Sequence, residues 1–381
     1  MSAPAPGHHA AVAILGAGPI GMACALLLSA RGIGSQLVDA RTVEQAHRDR
    51  RLLALSRGTL QLLAGLLGPR FAPMGAIREV HVSSSGQFGA TRLSSRDFDG
   101  AALGATVWYA DLVLALARAA EADPNIAVRR PCRVEALEQR PDAVRIQLDD
   151  SGCIEAPIAV NAEGSLPGGR PATSAALLAD LDIEGLAPGT AVERFTREGP
   201  LALLPLPGQD GARKSMIWCL DQEVAQQRLA LGDEEFVRKI QAMLGPRIGR
   251  VASPGPRVAF PLVQQRRANL REHRLVYIGN AAQSLHPVAG QGFNLGMRDC
   301  ACLADNLARV PDDPVEALSR YEAARRADRF AISRLTGALP ELFAARLAPI
   351  AALRSIALVA FDLAAPLRRS LASMLMFGVR Y

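Results

Sequence analysis

Lysine, aromatic side chains and long uncharged runs are all scarce in this chain, and each scarcity excludes something. Of its 381 residues only Lys214 and Lys239 are lysine and only 4% are aromatic. The formal charge of +6 is therefore almost all arginine, spread along the chain without the stacking platforms of a single-strand binder. Nucleic acid is excluded as an expected partner. No run reaches the roughly 18 apolar residues that a spanning helix needs, so no transmembrane segment is predicted. The six cysteines are scattered and follow no N-terminal apolar signal-like segment, which predicts a reducing, cytoplasmic setting rather than a disulfide framework. The six histidines have no ligand spacing, and Cys300 with Cys302 lacks the C-x-x-C separation, so no metal site is expected. There is also no G-x-S-x-G elbow of a hydrolase.

Apolar residues, by contrast, make up 49% of the chain against 21% charged, enough to bury a large core in two or three domains. The run Ala10 to Leu15 is short, apolar and closed by glycine, as in a buried parallel strand. From Pro19 to Arg31, Ile20, Ala23, Leu27 and Ala30 recur at helical spacing, and Gln36 to Val38 reads as a second strand. Between strand and helix stands Gly16-Ala17-Gly18-Pro19-Ile20-Gly21, a G-x-G-x-x-G in the context that gives it meaning. Gly16 permits the tight turn, Gly18 lets a pyrophosphate approach the backbone, and Gly21 lets helix and strand pack closely. Asp39, 23 residues after Gly16, stands where it can accept hydrogen bonds from an adenosine ribose. These residues predict a dinucleotide site, but NAD and FAD share the pattern.

A second glycine cluster follows some 260 residues later: a strand over Arg274 to Ile278, then Gly279-Asn280-Ala281-Ala282-Gln283-Ser284-Leu285-His286-Pro287, then Gly290-Gln291-Gly292-Phe293-Asn294 opening a helix from about Gly292 to Leu307. A glycine-rich turn at a helix start offers converging N–H groups to an anion. This segment resembles the distal flavin motif of the class A FAD-dependent aromatic hydroxylases, the para-hydroxybenzoate hydroxylase-like enzymes, and within them the UbiH-type hydroxylases of ubiquinone biosynthesis. Glu193-Arg194-Phe195-Thr196, Gly199-Pro200-Leu201-Ala202 and Arg51 with Ala54-Leu55 extend the resemblance over nearly the whole chain. Asn280 carries the closer assignment, since most of the wider family has Asp there, whereas the UbiH type resembles this chain in having Asn.

The resemblance implies FAD as cofactor, with Arg51, Asn280 and the 290–294 segment near the flavin and with His286 and Pro287 beside its ring. It implies O2 activation through a C4a-hydroperoxide and hydroxylation of a polyprenylated phenol. NAD(P)H is the implied donor, although the Asp-Gly-x-x-Ser-x-x-Arg segment tied to it in the family reads Glu163-Gly164-Ser165-Leu166-Pro167-Gly168-Gly169-Arg170 here. A ubiquinone-biosynthesis complex and contact with the surface of the inner membrane are further implied partners. A hydroxylase of a soluble aromatic, or a flavin reductase or dehydrogenase without oxygen transfer, are the alternatives.

The expected fold is α/β. A Rossmann-like FAD-binding domain with a parallel sheet is assembled from 10–75, 105–170 and 268–330. An antiparallel substrate sheet is inserted as 76–104 and 171–267, from alternating stretches such as Glu79 to Ser83, Met216 to Leu220 and Val258 to Val263. A basic, Ala/Leu-rich helical region occupies 331–381, with Arg354, Arg368 and Arg369 among its charges. It either rests on a lipid surface or packs as a subdomain on the core. Proline at 340, 349 and 366 is expected to cut it into short pieces, which favours packing.

Overall fold

The computed structural model describes residues 11–86, 89–164, 172–208, 213–263, 265–284, 290–344 and 364–378. Val12–Leu15 is buried on both faces, as a short apolar run between two parallel neighbours must be. It pairs in parallel with Ser35–Val38 on one side and Ile158–Asn161 on the other. Ile126–Arg129 and Leu275–Tyr277 extend this parallel sheet outward, and the antiparallel Arg271–Glu272 closes one edge. The chain reverses its direction of build at Val12–Leu15, so the crevice beyond that strand's carboxyl end is the place for a ligand.

The helix Pro19–Ser29 forms where the helical spacing places it, and nearly all of it is buried. The physical reason is that it packs against the strand that follows it and against two helices, Tyr109–Ala122 and Gln291–Arg309. A three-stranded antiparallel sheet (Val134–Gln139, Val144–Leu148, Cys153–Ala156) joins the same core.

A seven-stranded sheet runs in the order Arg250–Leu262, Ser174–Glu184, Arg213–Asp221, Pro200–Pro205, Thr190–Phe195, Glu79–Ser84, Ala90–Ser94. Its pairs are antiparallel except Thr190–Phe195 with Glu79–Ser84. Its two faces differ sharply. One carries Leu177, Leu181, Leu203, Met216 and Trp218, all 0% exposed, under the helices Gln222–Leu229 and Asp233–Leu244. The other carries a cross-strand row, Val82, Glu193, Ala202, Ile217, Leu178 and Val258, in which every member is half-buried or exposed.

A small sheet of Leu52–Ser56, Gly104–Trp108 and Gly75–Ile77 stands between the two larger ones. There Thr106 Oγ1 donates to the Pro205 carbonyl at 2.6 Å, tying the small sheet to the seven-stranded one. The helix Pro314–Ala344 then touches strand Thr190–Phe195. It also runs unbroken through position 340, against the expected interruption at that proline. The missing N–H of Pro340 removes one bond from a 31-residue helix already long enough to stand without it, and Pro349 lies outside the described residues. The helix spans the expected boundary at 330/331. Finally, Ala365–Phe377 packs on helix Arg57–Leu67 and buries Ala372 and Met376 in a small cluster with Leu93 and Leu103, while Arg368 donates to Asp97 at 3.1 Å. No helix among the described residues is long and apolar enough to cross a membrane.

Candidate functional site

The first glycine turn caps the carboxyl end of Val12–Leu15. Gly16 has φ +99, and a Cβ on it would lie 2.8 Å from the Ala162 backbone, so no other residue fits. A Cβ on Gly21 would run into the Gly16 carbonyl oxygen, which shows how tightly the helix is pressed onto the turn. Gly18 is the opposite case, with no atom within 4 Å of the position a Cβ would take. It is the N-cap of Pro19–Ser29 and makes no side-chain bond, so the positive end of the helix dipole meets open space. Asp39 braces this turn: Ala17 N–H donates to its Oδ2 and Arg41 N–H to its Oδ1, both at 2.8 Å.

Two further groups gather at this end. Glu163 follows strand Ile158–Asn161, and burial together with the charge of Asp39 holds its carboxyl above the usual range. Arg51 precedes strand Leu52–Ser56, paired with Asp49 at 2.6 Å and lying 4.9 Å over the ring of Tyr109. Burial works against its charge, but Asp49 outweighs burial and keeps the guanidinium above its ordinary value.

The second turn opens the helix Gln291–Arg309, two residues longer at its far end than expected. Its N-cap Gly290 is left-handed with φ +58, and a Cβ there would stand 2.9 Å from that of Ala54. Asn294 makes the junction. Its Nδ2 donates to the carbonyls of Ala54 at 2.9 Å and Gly290 at 2.7 Å, while its Oδ1 accepts from Ser56 N–H at 2.8 Å. Gly292 has nothing within 4 Å of a built Cβ, Gln291 is buried, Phe293 is half-buried against the core, and Asn280 is exposed on the short turn Gly279–Ala281. His286 and Pro287 lie outside the described residues, as does the stretch 165–170.

The two turns meet at Ile20. A Cβ on Gly279 would be 3.1 Å from the Ile20 side chain, and one on Gly296 would be 2.8 Å from it. Glycine at both positions thus lets two helix starts, at Pro19 and Gln291, lie side by side. Replacing the 2% exposed Asn294 with Leu strands a donor and two acceptors in the interior. We expect a loss of about 2–4 kcal/mol in urea unfolding and weaker flavin retention.

Sequence reasoning missed the charged network behind this segment. Asp299, fully buried, accepts from Gly279 N–H at 3.1 Å and from Arg325 Nε at 2.7 Å. Arg325 Nη1 continues to Asp328 at 2.6 Å, Arg298 reaches Asp328 at 3.2 Å, and Arg298 Nη2 donates to Gln291 at 3.4 Å. The turn at 279 and the helix start at 291 are thereby held through one set of ion pairs. Burial opposes the Arg325 charge, but Asp299 and Asp328 overcome it and raise the guanidinium further. The only signal in the sequence was the placement of Arg and Asp three residues apart on an otherwise amphipathic helix.

The donor set fits a flavin dinucleotide. One uncapped helix start beside a carboxylate suits a pyrophosphate and ribose, and a second uncapped start suits the electron-rich edge of the ring. In comparisons with known proteins, residues 9–166 and 168–334 match the family described as FAD binding domain. Ubiquinone hydroxylase UbiL of Rhodospirillum rubrum is 34% identical over 261 residues, covering 65% of this chain and 60% of that protein. The 3-demethoxyubiquinol 3-hydroxylase of Escherichia coli is 26% identical over 384 residues, 94% of this chain and 96% of that one. Among solved structures, p-nitrophenol 4-monooxygenase PnpA from Pseudomonas putida superposes with a TM-score of 0.73 at 15% identity, over 97% of this chain and 98% of that one. PqsL from Pseudomonas aeruginosa gives 0.72 at 19%, over 93% and 100%, and both likenesses speak for the fold. The chain belongs to the FAD binding domain family.

Proposed function

We propose that this protein is a FAD-dependent monooxygenase that hydroxylates the ring of a polyprenylated phenol on the way to ubiquinone. The observation that carries the reading is the pairing of a two-turn flavin cradle with a half-open, mainly aliphatic sheet face. The two relatives, a ubiquinone hydroxylase and a 3-demethoxyubiquinol 3-hydroxylase, support the substrate class. FAD, once reduced, supplies activated oxygen from O2, with NAD(P)H or an electron-transfer partner as the donor. The chain's own part is to hold the two ends of the cofactor and to orient the ring. Gly16, Gly18, Gly21 and Asp39 would take the adenosine and pyrophosphate end, with Arg51 and Asn280 nearer the flavin and Gly290 to Asn294 along its ring. The aliphatic face would exclude water and receive the prenyl tail.

A substrate so apolar is supplied from a membrane, so we place the protein at the inner-membrane surface, working beside other ubiquinone-biosynthesis enzymes. Of the tail arginines, Arg368 is engaged by Asp97, Arg369 is exposed, and Arg354 lies outside the described residues. The test is mass spectrometry of extracted quinones from cells lacking the gene. We expect a prenylated phenol one oxygen short of the next intermediate to accumulate, and wild type but not Gly18→Asp to clear it. An unchanged quinone profile would move the substrate to a soluble aromatic.

A further inference from the structure

Behind the flavin segment lies a cavity of about 310 Å³ that no described residue of either glycine turn lines. Its walls are the start of helix Arg57–Leu67, the middle of Gln291–Arg309, the long helix Pro314–Ala344 and the end of Ala365–Phe377. It is therefore separate from the cradle that the two turns form. Arg298, Arg325, Ser56 and Thr59 give it a donor-rich wall. Leu62, Ala301, Met376 and Phe377 give it an apolar one.

The two arginines are not used up by their neighbours. Arg298 reaches Asp328 at 3.2 Å and Gln291 at 3.4 Å, and Arg325 holds Asp299 at 2.7 Å and Asp328 at 2.6 Å. Yet Arg298 Nε and Arg325 Nη2 are buried donors without an acceptor. A guanidinium N–H left unpaired in the interior is costly, and native structures keep few such groups. The charge count points the same way. Arg329 feels the charge of Asp299, but its own donors go to neutral oxygens: Gln283 Oε1 at 3.1 Å and the carbonyls of Arg267 at 3.3 Å and Ala282 at 3.2 Å. Among the described residues, three guanidiniums (Arg298, Arg325, Arg329) thus face two carboxylates (Asp299, Asp328), and one positive charge is left over. Four of these five residues are at most 5% exposed, and the Arg298 side chain is 14% exposed. Burial holds the Arg298 and Arg329 guanidiniums below their ordinary value, against the pull of the carboxylates.

A surplus buried charge calls for an anion. A phosphate would bring up to two charges against a surplus of one, beside the Asp328 carboxylate that also lines the cavity. A carboxylate brings one, and its planar pair of oxygens matches guanidinium N–H groups. The apolar wall suits a hydrocarbon body on the same molecule. We propose that this cavity is a second ligand site, which takes a small monocarboxylic acid with its carboxylate on Arg298 and Arg325 and its hydrocarbon part on Leu62, Ala301, Met376 and Phe377. The start of helix Arg57–Leu67, at Ser56 and Thr59, adds the positive end of its dipole. Both arginines also hold the flavin segment, Arg298 through Gln291 and Arg325 through Asp299 and Gly279, so the acid and the flavin share supports.

Calorimetric titration of the FAD-loaded protein with pentanoate, pentanol and inorganic phosphate tests the site. Pentanoate should bind once per chain and at least about tenfold more tightly than the alcohol, the margin of a hydrogen bond to a charged group. Phosphate should not displace it. Ala301→Phe puts a ring into the cavity and should abolish the binding, while flavin content and circular dichroism check that the variant is folded. Hydrogen exchange in the wild type reads the place without any variant: pentanoate should add protection at 57–62 and 376–378. The assignment is overturned if pentanoate does not bind, if the alcohol binds equally well, or if equimolar phosphate displaces the acid. It is also overturned if binding survives in folded Ala301→Phe, or if protection rises at 16–21 or 290–294 in place of 57–62, since the acid then lies in the flavin cradle.

Discussion

Gly18→Asp will lower the affinity for FAD by at least about a hundredfold while the protein stays folded. The reason lies in what surrounds Gly18. Apart from its immediate neighbours in the chain, no protein atom stands within 4 Å of a Cβ there, so the new side chain starts out into open space. It does meet the space in front of an uncapped helix start, where a pyrophosphate belongs, and it brings a negative charge to that space. Titrating apoprotein with FAD by flavin fluorescence measures the loss, and circular dichroism of the same apoprotein checks the fold. Gly21→Val is the contrasting case. Its Cβ would collide with the Gly16 carbonyl oxygen, so the fold itself should give way and the dichroism should change with it. If Gly18→Asp binds FAD as wild type does, the first turn is not the pyrophosphate site.

Asp299→Ala is expected to remove about 3–5 kcal/mol of stability, the cost of leaving a buried partner charge uncompensated. Asp299 is 0% exposed, and Arg325, which it pairs with, is only 5% exposed, so water cannot replace the lost carboxylate. The Gly279 N–H loses its acceptor at the same time. Because Gly279 begins the turn toward the flavin segment, flavin should dissociate before the bulk of the chain unfolds, which a thermal melt read by flavin fluorescence and by circular dichroism would separate. Asp305→Ala makes the comparison: its pair with Arg31 is 2.6 Å long, but the side chains are 46% and 26% exposed. The expected loss there is about 0–1 kcal/mol. Equal losses in the two variants would mean that burial does not govern the strength of the Asp299 network.

Legibility in the sequence followed the range of the forces involved. The first glycine turn was readable because its requirements are local: a positive φ at Gly16, an open approach at Gly18 and a close helix at Gly21 are set within six residues. The segment 290–294 was readable for the same reason, yet Asn294 is chiefly a clamp between strand Leu52–Ser56 and the helix, which only the folded chain brings together. The helix Pro19–Ser29 was placed from its spacing, but not its burial on nearly every side, since neighbours supplied by residues 109–122 and 291–309 leave no trace in its own pattern.

The sequence by itself determined the flavin-type dinucleotide motifs, the α/β class and the carboxylate at the end of the second strand, because each depends on backbone conformations and periodicities that neighbouring residues impose. Tertiary structure alone decided that Gly279 and Gly296 close on Ile20, that Asp299 and Arg325 share a charge-balanced interior, and that Glu193 lies in one cross-strand row with Val82 and Ala202. Those outcomes depend on strand order and register. A shift of one residue in the pairing of strand Thr190–Phe195 with its neighbours would turn Glu193 into the helix-covered core, and nothing within the segment Glu193-Arg194-Phe195-Thr196 records which side it faces.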